Sequence, residues 1–92
     1  MRIEFDPAKD AANVAKHGLS LLLAVDLDWA AATVRVDARF DYGETRLVAL
    51  AEHAQTLYHV VFVERGDAKR IISLRRANRR EVKQYARQTE AP

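Results

Sequence analysis

The sequence predicts a single α+β domain over residues 1–92: two short N-terminal helices, a four-stranded antiparallel meander with room for a short strand at the N-terminus, and a basic C-terminal helix. Three observations carry this. Apolar and small residues recur at helical spacing up to about residue 29 and at strand spacing from Thr33 onward. The connectors between the later segments are short and rich in turn-forming residues. The basic charge gathers at the C-terminal end, still threaded with apolar residues, which marks a folded basic region and not a loose tail.

In chain order, Ile3–Phe5 is a strand candidate. Asp6-Pro7 opens the first helix, because Asp caps free amides and proline suits the first helical position. Ala8, Ala11, Ala12 and Ala15 are expected to form its inner, small-residue face, and Gly18 to end it behind Lys16 and His17. Ser20 is expected to cap a second helix over residues 21–29 that buries some of Leu21, Leu22, Leu23, Val25 and Trp29. Thr33–Asp37 alternates, with Val34 and Val36 predicted on the buried side. Asp41-Tyr42-Gly43 supplies a turn. Thr45–Glu52 and Leu57–Glu64 are apolar on both faces, which places both strands inside the sheet. Ala54-Gln55-Thr56 and Arg65-Gly66-Asp67 are hairpin connections, the latter leading to the strand Lys69–Leu74. Strict alternation there would set Lys69, Ile71, Ser73 and Arg75 on one face and Arg70, Ile72 and Leu74 on the other. Asn78 with Glu81 reads as a capping box opening a last helix to about Gln88, with Val82, Tyr85 and Ala86 inward.

Composition bounds the chemistry. Residues 1–64 carry six Lys/Arg against ten Asp/Glu, and residues 65–92 carry nine against three. The formal charge of +2 therefore hides a dipolar molecule whose basic end attracts polyanions. Sixteen alanines inflate the apolar fraction, so packing must rest on Val, Leu, Ile, Phe and Trp29. There is no cysteine, and His17, His53 and His59 lack any ligand spacing, so neither a metal nor another cofactor is expected. No apolar run approaches the ~20 residues of a membrane span and the N-terminus has no apolar signal region, so a cytoplasmic protein without membrane contact is expected.

Several side chains are candidates for chemistry. Arg65, Arg70 and Arg75 can grip phosphate bidentately and stay charged at every working pH, and RNA cleavage needs such stabilisation of an anionic phosphorane. The same residues also fit a solvated basic surface. His17 is either a general acid or base, or a neutraliser, with Lys16, of its helix dipole. Glu44 is either a proton acceptor, with Arg46 orienting phosphate, or one half of an ordinary surface pair. Tyr85 is either core with its hydroxyl at the rim or a stacking or proton-donating group. His53 and His59 read as packing residues. Lys16, Lys69, Arg76, Arg79, Arg80 and Lys83 complete the candidate RNA-binding set.

The blocks FDPAKDAANVAKHGLS, DYGETR and ERGDAKRIISLRRANRREVKQY, in this order, resemble the BrnT toxins of type II toxin–antitoxin pairs over nearly the whole chain. The resemblance implies a RelE-like fold, a ribonuclease that inhibits translation, and neutralisation by a BrnA-like ribbon-helix-helix antitoxin that alone contacts operator DNA. It marks Lys16, His17, Glu44, Arg46, Glu64, Arg65, Arg70, Ser73, Arg75, Glu81 and Tyr85. Phe5, Trp29-Ala30 and Leu74 depart from the usual pattern, and Leu74 is expected to crowd the site. The expected chemistry is attack by the RNA 2′-hydroxyl on the adjacent phosphate, giving a 2′,3′-cyclic phosphate. Arg65, Arg70 and Arg75 would hold the phosphate with help from Arg46. Glu44 or His17 would be the base, and Tyr85 or His17 the acid. The alternatives are a non-catalytic nucleic-acid-binding module and a subunit that only docks an antitoxin.

Overall fold

The computed structural model describes residues 1–38 and 43–90. Its elements run β1 (Arg2–Glu4), α1 (Pro7–His17), two 3₁₀ segments (Leu21–Asp26 and Trp29–Ala31), β2 (Thr33–Asp37), β3 (Arg46–His53), β4 (Thr56–Arg65), β5 (Ala68–Arg76) and α2 (Arg79–Thr89). The class is α+β, as the periodicities predict. The sheet is five-stranded and mixed, in the order β1-β5-β4-β3-β2, with β1 parallel to β5 and the other pairs antiparallel. The expected meander is therefore present in β2–β5, and the N-terminal strand adds a parallel edge to it. Asp41 and Tyr42 of the predicted turn lie outside the described residues.

The start and stop signals of α1 act as predicted: the Asp6 side chain accepts from Ala8 N–H, and Gly18 takes a left-handed φ of 71°. Its inner face is not the alanine stripe, which is exposed. Asp10, Asn13 and His17 turn inward instead. Asp10 Oδ1 accepts from Ser20 Oγ at 2.9 Å and from Leu21 N–H at 2.7 Å, tying α1 to the next segment. β1 stops pairing at Arg70, and Asn13 takes over the open edge of β5. Its amide donates to Leu74 O at 2.8 Å and its carbonyl accepts from Leu74 N–H at 3.0 Å. One buried side chain thus stands in for a strand, which explains how a polar residue is accommodated beside the core.

The expected second helix is absent as an α-helix. Ser20 does cap it, accepting from Leu22 N–H, but Leu21–Asp26 is a 3₁₀ segment and Trp29–Ala31 is a separate one capped by Asp28. The reason lies in the apolar spacing. Leu21, Ala24 and Leu27 recur every third residue, and all three are buried, which matches the three-residue turn of a 3₁₀ helix. They pack on the sheet face formed by Ala49, Ala51, Tyr58, Val60, Phe62, Ile71 and Leu74. Trp29 closes one side, its ring edge-on to Phe62 at 5.3 Å and its Nε1–H donating to Ala24 O at 2.8 Å.

The opposite sheet face is apolar too, through Val48, Leu50, Val61 and Val63, so β3 and β4 are interior strands as expected. Edge strand β2 departs from its prediction in burial: Val34 and Val36 are exposed and Asp37 is buried. The pairs Val34↔Ala49 and Val36↔Leu47 do set both valines on the core side, so it is the place of β2 at the sheet edge, and not its facing, that leaves them exposed. Ala54 and Gln55 form the β3–β4 turn, both with positive φ (50° and 67°). In β5 the predicted alternation fails at one point. Val61 pairs with Ser73 but Phe62 with Ile71, so Ile72 is an extra residue in the strand. This bulge turns Lys69, Ile71 and Leu74 to the core face and Arg70, Ser73 and Arg75 to the other. Leu74 therefore points away from the arginines and does not crowd them.

Candidate active site

The bulge at Ile72 decides where the basic residues meet. On the face opposite the main core, α1 and β4–β5 enclose a cleft of about 340 Å³, lined by Lys9, Lys16 and His17 from the helix and His59, Ser73 and Arg75 from the sheet. This lies within the ~300–1,000 Å³ range of ordinary ligand sites. His17 is half-buried in the last turn of α1, and Lys16 is exposed beside it.

Arg75 is held from the side of α2. Its Nη1 and Nη2 donate to Glu81 Oε1 and Oε2, both at 2.9 Å, and Nη1 also donates to Arg76 O at 3.2 Å. Glu81 is fixed in turn by the predicted capping box: Oε1 accepts from Asn78 N–H at 2.8 Å, and Glu81 N–H donates to Asn78 Oδ1 at 2.9 Å. Burial pushes the Glu81 carboxyl up, but the bonds from Arg75 and from the Asn78 amide, with the charges of His59 and Arg75, outweigh it and hold the pKa at about 2. His59 lies across from Arg75 in the β4–β5 register, with Nε2 at 3.7 Å from Glu81 Oε2. Its Nδ1 is buried without a hydrogen-bond partner among the described residues. Burial and the Arg75 charge lower its pKa, with Glu81 opposing.

The other candidate residues separate into distinct places. Arg65 pairs with Glu44 at 3.0 Å, both about half exposed, at the β4–β5 hairpin end of the same face. Arg70 pairs with Glu4 at 3.7 Å nearby, and Arg46 opens β3 opposite Asp37. Lys69 is on the core face, bonded to Glu64 at 3.2 Å with its ammonium 4.9 Å from the Phe62 ring centroid and 5.3 Å from that of Trp29. Arg76, Arg79, Arg80 and Lys83 are exposed. Arg80 borders a smaller hollow of about 140 Å³ on the far side of His59. Tyr85 lies outside the cleft: its hydroxyl donates to Ala31 O at 3.2 Å, in a hollow it shares with Glu52, Leu57 and Val82. Burial and the Glu52 and Asp28 carboxylates raise its pKa and keep the phenol neutral. Val82, expected inside, is exposed.

Sequence reasoning left His59 and Asn13 out of the site. The His59–Arg75 register follows only from the bulge, so strand alternation alone did not reveal it. Asn13 carried a usable signal, being a polar residue in line with Asp10 and His17 at i, i+3 and i+7 on a helix. Among the described residues, no three His, Cys, Asp or Glu side chains cluster as metal ligands, and no helix is long and apolar enough to cross a membrane.

Fold and cleft together define a small α+β protein that gathers Lys9, Lys16, His17 and Arg75 around one open cleft, the kind of surface that engages polyanions. Residues 5–81 match the family described as "Ribonuclease toxin, BrnT, of type II toxin-antitoxin system". The chain belongs to this BrnT family. The matched stretch includes every cleft residue and ends at Glu81, so Lys83 and Tyr85 lie beyond it. No curated protein matches the chain.

Proposed function

We propose that the cleft cuts RNA without a metal ion. In the reaction the 2′-oxygen loses its proton and bonds to the adjacent phosphorus while the bond from phosphorus to the 5′-oxygen breaks. The leaving oxygen takes up a proton. The products are a 2′,3′-cyclic phosphate and a 5′-hydroxyl, and no co-reactant is consumed. Arg75 holds the phosphate and stabilises the charge gathering on its free oxygens, with Lys16 beside it. His17 moves the proton, acting as base and then as acid. Arg65, Arg70 and Arg46 guide the strand from the hairpin end, and Arg79, Arg80 and Lys83 add long-range attraction. Glu44 and Tyr85, both candidates from sequence, are less suited to proton transfer: one is engaged with Arg65, the other with Ala31.

The observation that carries this reading is the convergence of His17, Lys16 and Arg75 on one cleft, in a family of ribonuclease toxins. The toxin class implies an antitoxin and an RNA substrate. A BrnA-like ribbon-helix-helix antitoxin would close the cleft with acidic side chains and supply operator binding, in the cytoplasm. The order of helix, antiparallel strands and basic helix supports a RelE-like reading of the fold. The test is incubation of purified protein with RNA in EDTA, with and without ribosomes, followed by end-group analysis. Cyclic phosphate ends are expected. Cleavage that vanishes in EDTA and returns with magnesium overturns the mechanism. No cleavage in any condition leaves a non-catalytic binding module.

A further inference from the structure

We infer that Glu81 is the positioning residue of the cleft: it occupies the end-on fork of Arg75 and thereby presents the side edge of the guanidinium, Nε–H with the remaining Nη2–H, to the substrate phosphate. The inference deepens the ribonuclease reading and rests on it.

The donor inventory of Arg75 leads there. A guanidinium has hydrogens on Nε, Nη1 and Nη2 that form two usable forks, one end-on and one side-on. Nη1 gives both of its hydrogens away, to Glu81 Oε1 and Arg76 O. Nη2 gives one to Glu81 Oε2. What remains is Nε–H and one hydrogen of Nη2, which lie side by side on the other fork. Arg75 itself lines the cleft, about one-third exposed, so a phosphate there meets that edge. Two oxygens of a phosphate match it as two parallel hydrogen bonds.

Glu81 is suited to hold this geometry. Its side chain is 14 % exposed and is bolted to the N-terminus of α2 by the Asn78 capping box. The carboxyl stays ionised through neutral pH, so the clamp does not open as the protein works. His59 closes the third side at 3.7 Å. A side chain as flexible as arginine is thus fixed before substrate arrives. Such preorganisation favours the transition state, in which charge on the free phosphate oxygens grows, over the ground state. The carboxylate also places a negative charge near the phosphate, which weakens ground-state binding. The two effects predict opposite movements of binding and rate when the charge is removed.

Glu81→Gln separates them. Gln at this helix position still completes a capping box, so α2 keeps its start. The variant keeps one acceptor oxygen for Arg75 and loses the second. Single-turnover cleavage of a short RNA should slow by about 10- to 100-fold. Affinity for a 2′-O-methyl oligonucleotide, which cannot be cut, should stay the same or rise several-fold. An Arg75 Nε–H resonance that shifts on adding this oligonucleotide to wild type should shift less in the variant. An unchanged rate reduces Glu81 to a helix cap and overturns the inference, and a faster rate overturns it by making the carboxylate a competitor of the phosphate. If wild type cuts no RNA, the ribonuclease reading fails on its own. The Nε–H comparison then still decides whether Glu81 sets the phosphate-binding edge of Arg75.

Discussion

Arg75 and Arg65 lie on the same face of the same sheet, yet they are held in opposite ways. Arg75 is one-third exposed, its end-on fork is fully used, and its partner Glu81 is 14 % exposed and fixed by a helix cap. Arg65 and its partner Glu44 are about half exposed and share a single contact at 3.0 Å. An exposed pair of that kind contributes about 0–1 kcal/mol and is easily broken by salt or ligand. A bidentate pair beside buried groups resists both. The contrast separates two environments within what the sequence presents as one basic stretch. On the proposed function, the cleft end would fix a charge in space and the more exposed hairpin end would attract the RNA strand.

The sharpest way to break this comparison is to remove each arginine in turn. Arg75→Ala should lower RNA cleavage by about 10²- to 10³-fold, the usual loss for one donor aimed at a developing oxyanion. Arg65→Ala should cost less than tenfold under the same conditions. Equal losses in single-turnover assays would dissolve the distinction.

Next in size is a stability effect at the cleft wall. Asn13→Ala leaves both the N–H and the C=O of Leu74 without partners next to the core. A cost of about 2–4 kcal/mol is expected in urea melts. Asn13→Asp keeps the acceptor for Leu74 N–H and loses the donor to Leu74 O, so it should also destabilise. A variant as stable as wild type would mean that Asn13 does not hold α1 against β5.

Acid should weaken the cleft end in two stages. The pKa of His59 is lowered in the folded protein, so the unfolded chain binds its proton first, and stability falls as pH drops below 6.5. Glu81 is lowered from 4.5 to about 2, so the stability it gives is present above pH 4.5 and is lost as pH falls toward 2. Thermal melts from pH 7 to 3 should show both limbs. His59→Gln should flatten the upper one and Glu81→Gln the lower. A pH response unchanged in both variants would contradict the account of this cluster.

The hairpin end should show itself in salt rather than in rate. Arg65→Ala and Arg70→Ala should each reduce the log–log salt dependence of oligonucleotide binding by roughly 0.7, the value for one single-strand phosphate contact. Full retention of the wild-type slope would leave these arginines without a role in binding. The smallest effect lies in the β3–β4 turn. Ala54 and Gln55 have positive φ in a two-residue turn that favours Asn-Gly. The double substitution Ala54→Asn, Gln55→Gly should stabilise the fold by about 1 kcal/mol without changing cleavage.

Much of this was legible in the residues because local rules set it. Asp6-Pro7, Gly18, Ser20 and the Asn78–Glu81 box mark their helix ends by capping chemistry, which depends on nearest neighbours alone. The doubly apolar runs of β3 and β4 identify interior strands in the same way. What failed depends on partners far along the chain. The alanines of α1 suggested an inner face, but the open edge of β5 needs hydrogen bonds, and only the Asn13 face supplies them. Val34 and Val36 do lie on the core side of the sheet, opposite Ala49 and Leu47, but on the edge strand they stay exposed, and which strand forms the edge depends on the whole sheet order. The bulge at Ile72 mattered most, because it moved Arg70 onto the face of Ser73 and Arg75 and brought His59 across from Arg75. A run of alternating letters carries no sign of one extra residue. The basic stretch was visible at once, but its division into a tightly held Arg75 in the cleft and a half-exposed Arg65 at the hairpin end depends on the three-dimensional pairing.

The central claim is that RNA lies in the cleft between α1 and β5, with its phosphate at Arg75. Photo-crosslinking of a 2′-O-methyl oligonucleotide carrying 4-thiouridine, mapped by mass spectrometry, tests it most directly. Adducts are expected on the peptide containing Lys16 and His17 and on the one spanning Ser73 to Arg75, and free unlabelled oligonucleotide should compete them away. Adducts confined to the Arg65–Arg70 hairpin end and α2, with the cleft unmarked, would contradict the account.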